Sequence, residues 1–144
     1  MPFVETQWWA IEIPDEWNAQ YSEDCVTVSD CDGIGSIDIS ALKKQQGIIN
    51  DEDLREFADD LLVKQLIPQL VEHNGLSGFY FEYLEDGLAW REWYLAVNEL
   101  FIYITYNSES ENKNFDVAVV DQILETLTLI DESETVQDNN TEAK

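Results

Sequence analysis

Two Asp-Gly pairs, Asp32-Gly33 and Asp86-Gly87, each interrupt a run of alternating apolar and polar residues, and they constrain the fold more than any other feature. A two-residue Asp-Gly turn between alternating segments is a strong β-hairpin signal, and it fixes which side chains lie opposite one another. Because strand side chains alternate with period two, that register also decides which residues share a face. Counting outward from Asp86-Gly87 sets Glu82 opposite Arg91, Tyr80 opposite Trp93 and Tyr83 opposite Trp90. With Asn98-Glu99 as the next turn, Trp93 meets Ile104, Tyr94 meets Tyr103 and Arg91 meets Tyr106. One face then carries Leu84, Trp93, Leu95, Val97, Leu100, Ile102 and Ile104, with a polar row of Glu82, Arg91 and Tyr106. The other carries Phe79, Phe81, Tyr83, Trp90, Tyr94, Phe101 and Tyr103, with Glu92 among them. A sheet that is apolar on both faces needs cover on both.

The first pair lies in DCDGIGSID, Asp30–Asp38, which has the look of half an EF-hand loop. With Gly35 at the sixth position, Ile34 falls where the fifth ligand belongs and Ala41 where the bidentate Glu belongs, so calcium is not expected. Read as a type I′ hairpin turn at Asp32-Gly33, the same stretch pairs Val28 with Ile37 and Val26 with Ile39, with Thr27, Ser29, Ser36 and Asp38 on the opposite face. No metal site is expected elsewhere: the single histidine, His73, stands before Asn74-Gly75 at what reads as a helix end, where it would meet the last carbonyls.

Around these hairpins the chain reads as strands over Trp8–Ile13, Cys25–Ser29, Gly35–Leu42, Phe79–Leu84, Leu88–Val97 and Leu100–Tyr106. Asn50 caps a helix with acids in its first turn and Leu54, Phe57, Ala58, Leu61 and Leu62 at helical spacing. Pro68 stops or kinks it. A second helix covers about 115–127. The expected fold is α+β: a central antiparallel sheet of about six strands, ordered β-β-β-α-β-β-β-α, with helices on both faces as an α/β/α sandwich. One domain spans 1–130, and 131–144 reads as a disordered acidic tail.

Charge narrows the partners. The chain has 144 residues, with 31 Asp+Glu against 7 Lys+Arg, a formal net charge of −24, and only five of the acids lie beyond residue 130. Such a surface repels nucleic acid and anionic membranes and suits a basic or hydrophobic protein partner. No run approaches the length of a membrane span and no secretory leader is evident. Cys25 and Cys31, too far apart on one strand to bridge, read as free thiols in a reducing cytoplasm.

The element order, with WAIEIPDEW (Trp9–Trp17) as opening strand and loop, resembles the PsbP-like superfamily, which includes Mog and adaptor chaperones of type VI secretion. The resemblance covers about residues 5–130 and implies binding more often than catalysis. It transfers no catalytic or cofactor residue. The expected function is therefore a non-enzymatic protein-binding module without cofactor, an adaptor, chaperone or inhibitor-like protein, with Trp90, Glu92, Tyr94 and Tyr103 on its contact surface. An acidic nucleic-acid mimic that blocks a basic protein, and a hydrolase with a carboxylate site, stand as alternatives.

The charge excess makes the folded chain self-repelling. Thermal melts at neutral pH should therefore shift upward as salt shortens the Debye length from about 30 Å to about 8 Å. A midpoint that stays fixed or falls would contradict this.

Overall fold

The computed structural model describes residues 2–112 and 116–130. The expected tail, 131–144, and Phe115 at the start of the second expected helix lie outside the described residues. The architecture is mixed α+β. Among the described residues, ten strands form two antiparallel sheets: a large one in the order β3-β4-β5-β9-β8-β7-β6 and a small one in the order β1-β2-β10. The strands are β1 (Phe3–Glu5), β2 (Trp9–Glu12), β3 (Trp17–Tyr21), β4 (Val26–Asp30), β5 (Gly35–Lys43), β6 (Gln69–His73), β7 (Leu76–Glu85), β8 (Leu88–Val97), β9 (Leu100–Glu109) and β10 (Thr128–Leu129). Helices α1 (Asp51–Phe57) and α2 (Asp59–Val63) follow β5, and α3 (Val117–Glu125) follows β9.

Every register counted from the turns holds. Glu82 pairs with Arg91, Tyr83 with Trp90, Trp93 with Ile104 and Tyr94 with Tyr103. Val26 pairs with Ile39 and Val28 with Ile37. The turn chemistry differs in one place. Asp86 and Gly87 both have positive φ, as type I′ requires, whereas at the first hairpin only Gly33 does. There Asp32 uses its carboxylate instead, accepting from the Ile34 amide at 3.0 Å, while Gly33 N–H bonds Asp30 O at 3.1 Å. Of the two left-handed residues a type I′ turn requires, only the second, Gly33, is present, and the strand register is unaltered.

The six expected strands are the middle of a larger set. The missing members are short or lie at edges: β1, β3, β6 and β10. The segment after Pro68 is strand β6, not the tail of a helix, and Asn74-Gly75, both with positive φ, form the hairpin turn into β7. His73 therefore ends a strand rather than a helix. It still meets helix carbonyls, but those of α3: its Nε2 bonds Leu124 O. Asn74 Nδ2 beside it donates to Leu127 O at 2.6 Å and Glu125 O at 3.1 Å. The β6–β7 turn thus caps the C-terminal end of α3, satisfying carbonyls a helix leaves open.

Both faces of the large sheet are covered. On one, Phe79, Phe81, Tyr94, Ala96 and Phe101 pack with Leu54, Ala58 and Leu61 of α1 and α2. On the other, Tyr80, Trp93, Leu95, Ile102, Ile104 and Tyr106 pack with Trp9 and Ile11 of the small sheet and Val120, Ile123 and Leu124 of α3. Helix α1 starts where expected, with a reciprocal capping box between Asn50 and Asp53. Two backbone bonds pin the loop before it to the β8–β9 turn, Lys44 N–H to Glu99 O and Ile49 N–H to Asn98 O, both 2.7 Å. This tether lays α1 and α2 along the aromatic face. Among the described residues the large sheet ends on β3 and β6, and the side chains of Val63, Ile67 and Leu70 are exposed.

Packing between β7 and β8 is closest at Gly78. A Cβ there would come within 1.8 Å of the Tyr94 carbonyl oxygen, a backbone atom that cannot turn aside. Gly78→Ala should cost at least about 2 kcal/mol of unfolding free energy. Ser77→Ala, at its exposed neighbour, should stay within about 0.5 kcal/mol. Denaturant melts of the two variants provide the check.

Candidate functional site

Glu92 is the sharpest anomaly on the aromatic face. It stands in the middle of β8, pointing with Tyr94 toward α1 and α2, and only 5% of it is exposed. A buried carboxylate is costly unless its oxygens are hydrogen-bonded. Here three tyrosines supply the donors. Oε1 accepts from Tyr94 Oη at 2.7 Å and from Tyr103 Oη at 2.8 Å, and Oε2 accepts from Tyr83 Oη. The arrangement follows from strand geometry: Tyr94 lies two residues along the same strand, Tyr83 comes from β7, and Tyr103 sits opposite Tyr94 on β9. None of the three donors carries charge.

The hydroxyls are held as donors. Burial, and the Glu92 carboxylate they bond, push Tyr83, Tyr94 and Tyr103 well above the ordinary tyrosine range. Above this cluster lies a cavity of about 370 Å³ lined by Phe57, Asp60, Leu61, Lys64, Tyr83, Glu92, Tyr94, Phe101 and Tyr103. The sheet supplies its floor and one wall, and α1–α2 the other. Phe57 stacks on Phe101 with centroids 4.1 Å apart. At the mouth, Lys64 pairs with Glu85 at 2.8 Å, and its ammonium lies 6.0 Å from the Tyr83 ring centre.

Three of the four residues singled out in the sequence therefore meet: Glu92, Tyr94 and Tyr103 line one cavity. Trp90 does not line it. It stacks on the Tyr83 ring, 6.2 Å between centroids and 6° from parallel, and borders a second cavity of about 550 Å³ that includes Tyr80, Glu82, Arg91, Tyr106 and Asp121. The aromatic face is not an open surface, since Tyr94 is buried and α1–α2 cover its neighbours. What stays open is a pocket mouth. The residues missed in the sequence are Tyr83, which sits on the right face, and Phe57, Asp60 and Lys64, whose spacing of three, four and seven already marks one side of a helix.

In the second cavity the polar row is wired differently from the expected Glu82–Arg91 contact. Arg91 Nη2 pairs with Asp121 of α3 at 2.7 Å, and Arg91 Nε donates to Tyr80 Oη at 2.7 Å. Tyr80 in turn donates to Glu82 at 2.6 Å. The guanidinium also stacks over Trp93, 4.7 Å from its centroid, so a tyrosine hydroxyl stands between the two residues that face each other across the strands.

Solved structures share this fold. A protein from Bacteroides thetaiotaomicron superposes with a TM-score of 0.66 at 17% identity, over 88% of this chain and 46% of that one. This chain thus spans less than half the length of that protein. The cyanobacterial PsbP protein, CyanoP, from Synechocystis sp. PCC 6803 gives 0.59 at 11% identity, over 85% of this chain and 86% of its own. LpqN of Mycobacterium tuberculosis, involved in cell envelope biogenesis, gives 0.56 at 13% identity, over 85% and 83%. No family model matches the chain, and no curated protein matches it significantly. What these comparisons define is a fold: the chain shares the mixed α+β fold of CyanoP and LpqN. No helix among the described residues is long and apolar enough to cross a membrane.

The tyrosines generate a prediction about alkaline pH. Burial raises Tyr80 to about 12, and pushes Tyr83, Tyr94, Tyr103 and Tyr106 up as well. The unfolded chain ionises its tyrosines near pH 10 while the folded one keeps these five protonated, so stability falls as pH rises above about 10. The tyrosinate absorbance of these five should therefore appear together with loss of circular dichroism in one cooperative step. Smooth ionisation of all the tyrosines near pH 10 with the fold intact would contradict it.

Proposed function

We propose that this protein is a non-catalytic binding module that grips a partner protein at the end of the sheet where Tyr83 and Tyr103 line the Glu92 cavity and Trp90 stacks against Tyr83. The observation that carries the reading is the cavity itself. Aromatic rings line it, a carboxylate forms its floor, and Trp90 backs the Tyr83 ring in its wall. Ligand pockets of about 300–1,000 Å³ with apolar walls and a few convergent polar groups are the usual form of a binding site. Rigid Tyr and Trp side chains are the usual anchors of protein contacts.

Glu92 acts as an acceptor in this arrangement and Tyr94 and Tyr103 hold it in place, while Trp90 offers the accessible ring. A partner with a basic or hydrophobic contact surface suits a chain of net charge −24. PsbP-like neighbours such as CyanoP and LpqN lend support through fold alone. The free thiols of Cys25 and Cys31 favour a reducing compartment, and we place the protein in the cytoplasm on that basis.

Affinity capture from native lysate compares the wild-type chain with Trp90→Ala and with Tyr21→Ala, a change at an exposed aromatic on the far edge of the sheet. The partner set should be retained by Tyr21→Ala and depleted about tenfold or more by Trp90→Ala, as expected of an interface anchor. Equal recovery by all three proteins would remove the proposed contact.

A further inference from the structure

The Glu92 cluster satisfies hydrogen bonds but does not neutralise charge. Its three partners are neutral hydroxyls, and Lys64, which lines the same cavity and feels the Glu92 charge, makes its ion pair with Glu85 instead. A buried carboxylate is stabilised most by a cation within reach. The cavity above it supplies the rest of a cation receptor, with Tyr83, Tyr103, Phe57 and Phe101 forming aromatic walls and Asp60 adding a second acid. Aromatic faces attract cations, most strongly when both are shielded from water. The cavity already uses this attraction, since the Lys64 ammonium lies over the Tyr83 ring.

We propose that the Glu92 cavity is a receptor for a methylated ammonium group. This deepens the binding reading above and rests on the same site. Methylation is indicated by the lining: Phe57, Phe101 and the rings of Tyr83 and Tyr103 offer apolar contact that methyl groups fill and a bare ammonium does not. The tyrosine hydroxyls donate to Glu92, and three of the roughly four acceptor sites of the carboxylate are filled. A primary ammonium would exchange three N–H bonds to water for the tyrosine oxygens and Asp60. A quaternary ammonium has none to exchange, so it loses less on leaving water and gains the rings and the buried charge. Lys64 is the built-in competitor: its positive charge at the mouth repels an incoming cation.

The test is a calorimetric titration of the intact chain at fixed ionic strength with tetramethylammonium chloride, and with tert-butanol as a neutral molecule of similar shape. Tetramethylammonium should bind saturably, and at least about tenfold more tightly than tert-butanol. Lys64→Met, at an exposed position, should tighten binding, and Asp60→Asn, also exposed, should weaken it. Glu92→Gln should weaken it about tenfold or more, provided its circular dichroism matches the wild type. Two further arms, choline and a short peptide bearing trimethylated lysine, separate a free small cation from a partner-borne one by which binds more tightly.

Absence of saturable binding, equal binding of tert-butanol, or an affinity unmoved by both Lys64→Met and Asp60→Asn would overturn the proposal. These outcomes are distinct from failure of the broader reading. If tetramethylammonium does not bind while capture still depends on Trp90, the receptor falls and the binding module stands. If it binds while capture ignores Trp90, the receptor stands without the proposed protein contact.

Discussion

The three long strands β7, β8 and β9 bury side chains on both faces, and this single condition organises the rest of the molecule. Tyr94 and Trp93 are neighbours in sequence, yet they enter different cores on opposite sides of the sheet. An antiparallel sheet commonly leaves one face to water. This one cannot, so α1 and α2 are drawn onto one face and α3 with the small sheet onto the other. The ties that hold these covers in place are polar and local. The loop before α1 bonds the β8–β9 turn, the β6–β7 turn caps α3, and Arg91 reaches Asp121. Apolar area supplies the drive to cover the sheet, while these bonds choose where each cover sits.

The same condition accounts for the candidate site. A face covered by helices is not expected to contain a carboxylate, and Glu92 is tolerated there because three tyrosines from adjacent strands converge on it. Strand alternation puts those hydroxyls in reach without any loop, so the cluster rests on the stiffest part of the fold. The helices close over most of the face and leave a gap where the short α2 ends and Lys64 begins the chain's return. The cavity is the region that neither helix nor sheet fills.

How far the sequence revealed this depends on the kind of signal each element carries. The hairpins were legible because period-two alternation and a two-residue turn overdetermine the register, down to Tyr94 opposite Tyr103. The edge strands were not. β3, WNAQY, alternates over only five residues straight after the Pro14 loop, β10 has only two residues, and β6 follows a proline that reads as a helix stop. The last omission had a remedy in the chain: Asn74-Gly75 is as strong a hairpin signal as Asp86-Gly87, and helical periodicity upstream outweighed it. The pairing of β5 with β9, which joins the two halves into one sheet, has no turn to announce it. At the site, face membership of Glu92, Tyr94 and Tyr103 followed from counting. The cavity depends on where α1 and α2 come to rest, which tertiary packing sets, and Trp90 was grouped with it because a face is wider than a pocket.

Among the described residues β6 is an outer strand of the large sheet, with Leu70 on it and Ile67 just before it exposed. Such rims invite other chains to add a strand, and natural proteins usually guard them with lysine, proline or a bulge. Here the guard is diffuse: the anionic coat of the whole molecule keeps copies apart. Acidification toward the sequence isoelectric point of 4.1 strips that coat while leaving the rim intact. Colloidal stability in this fold is thus a property of the solvent as much as of the edge.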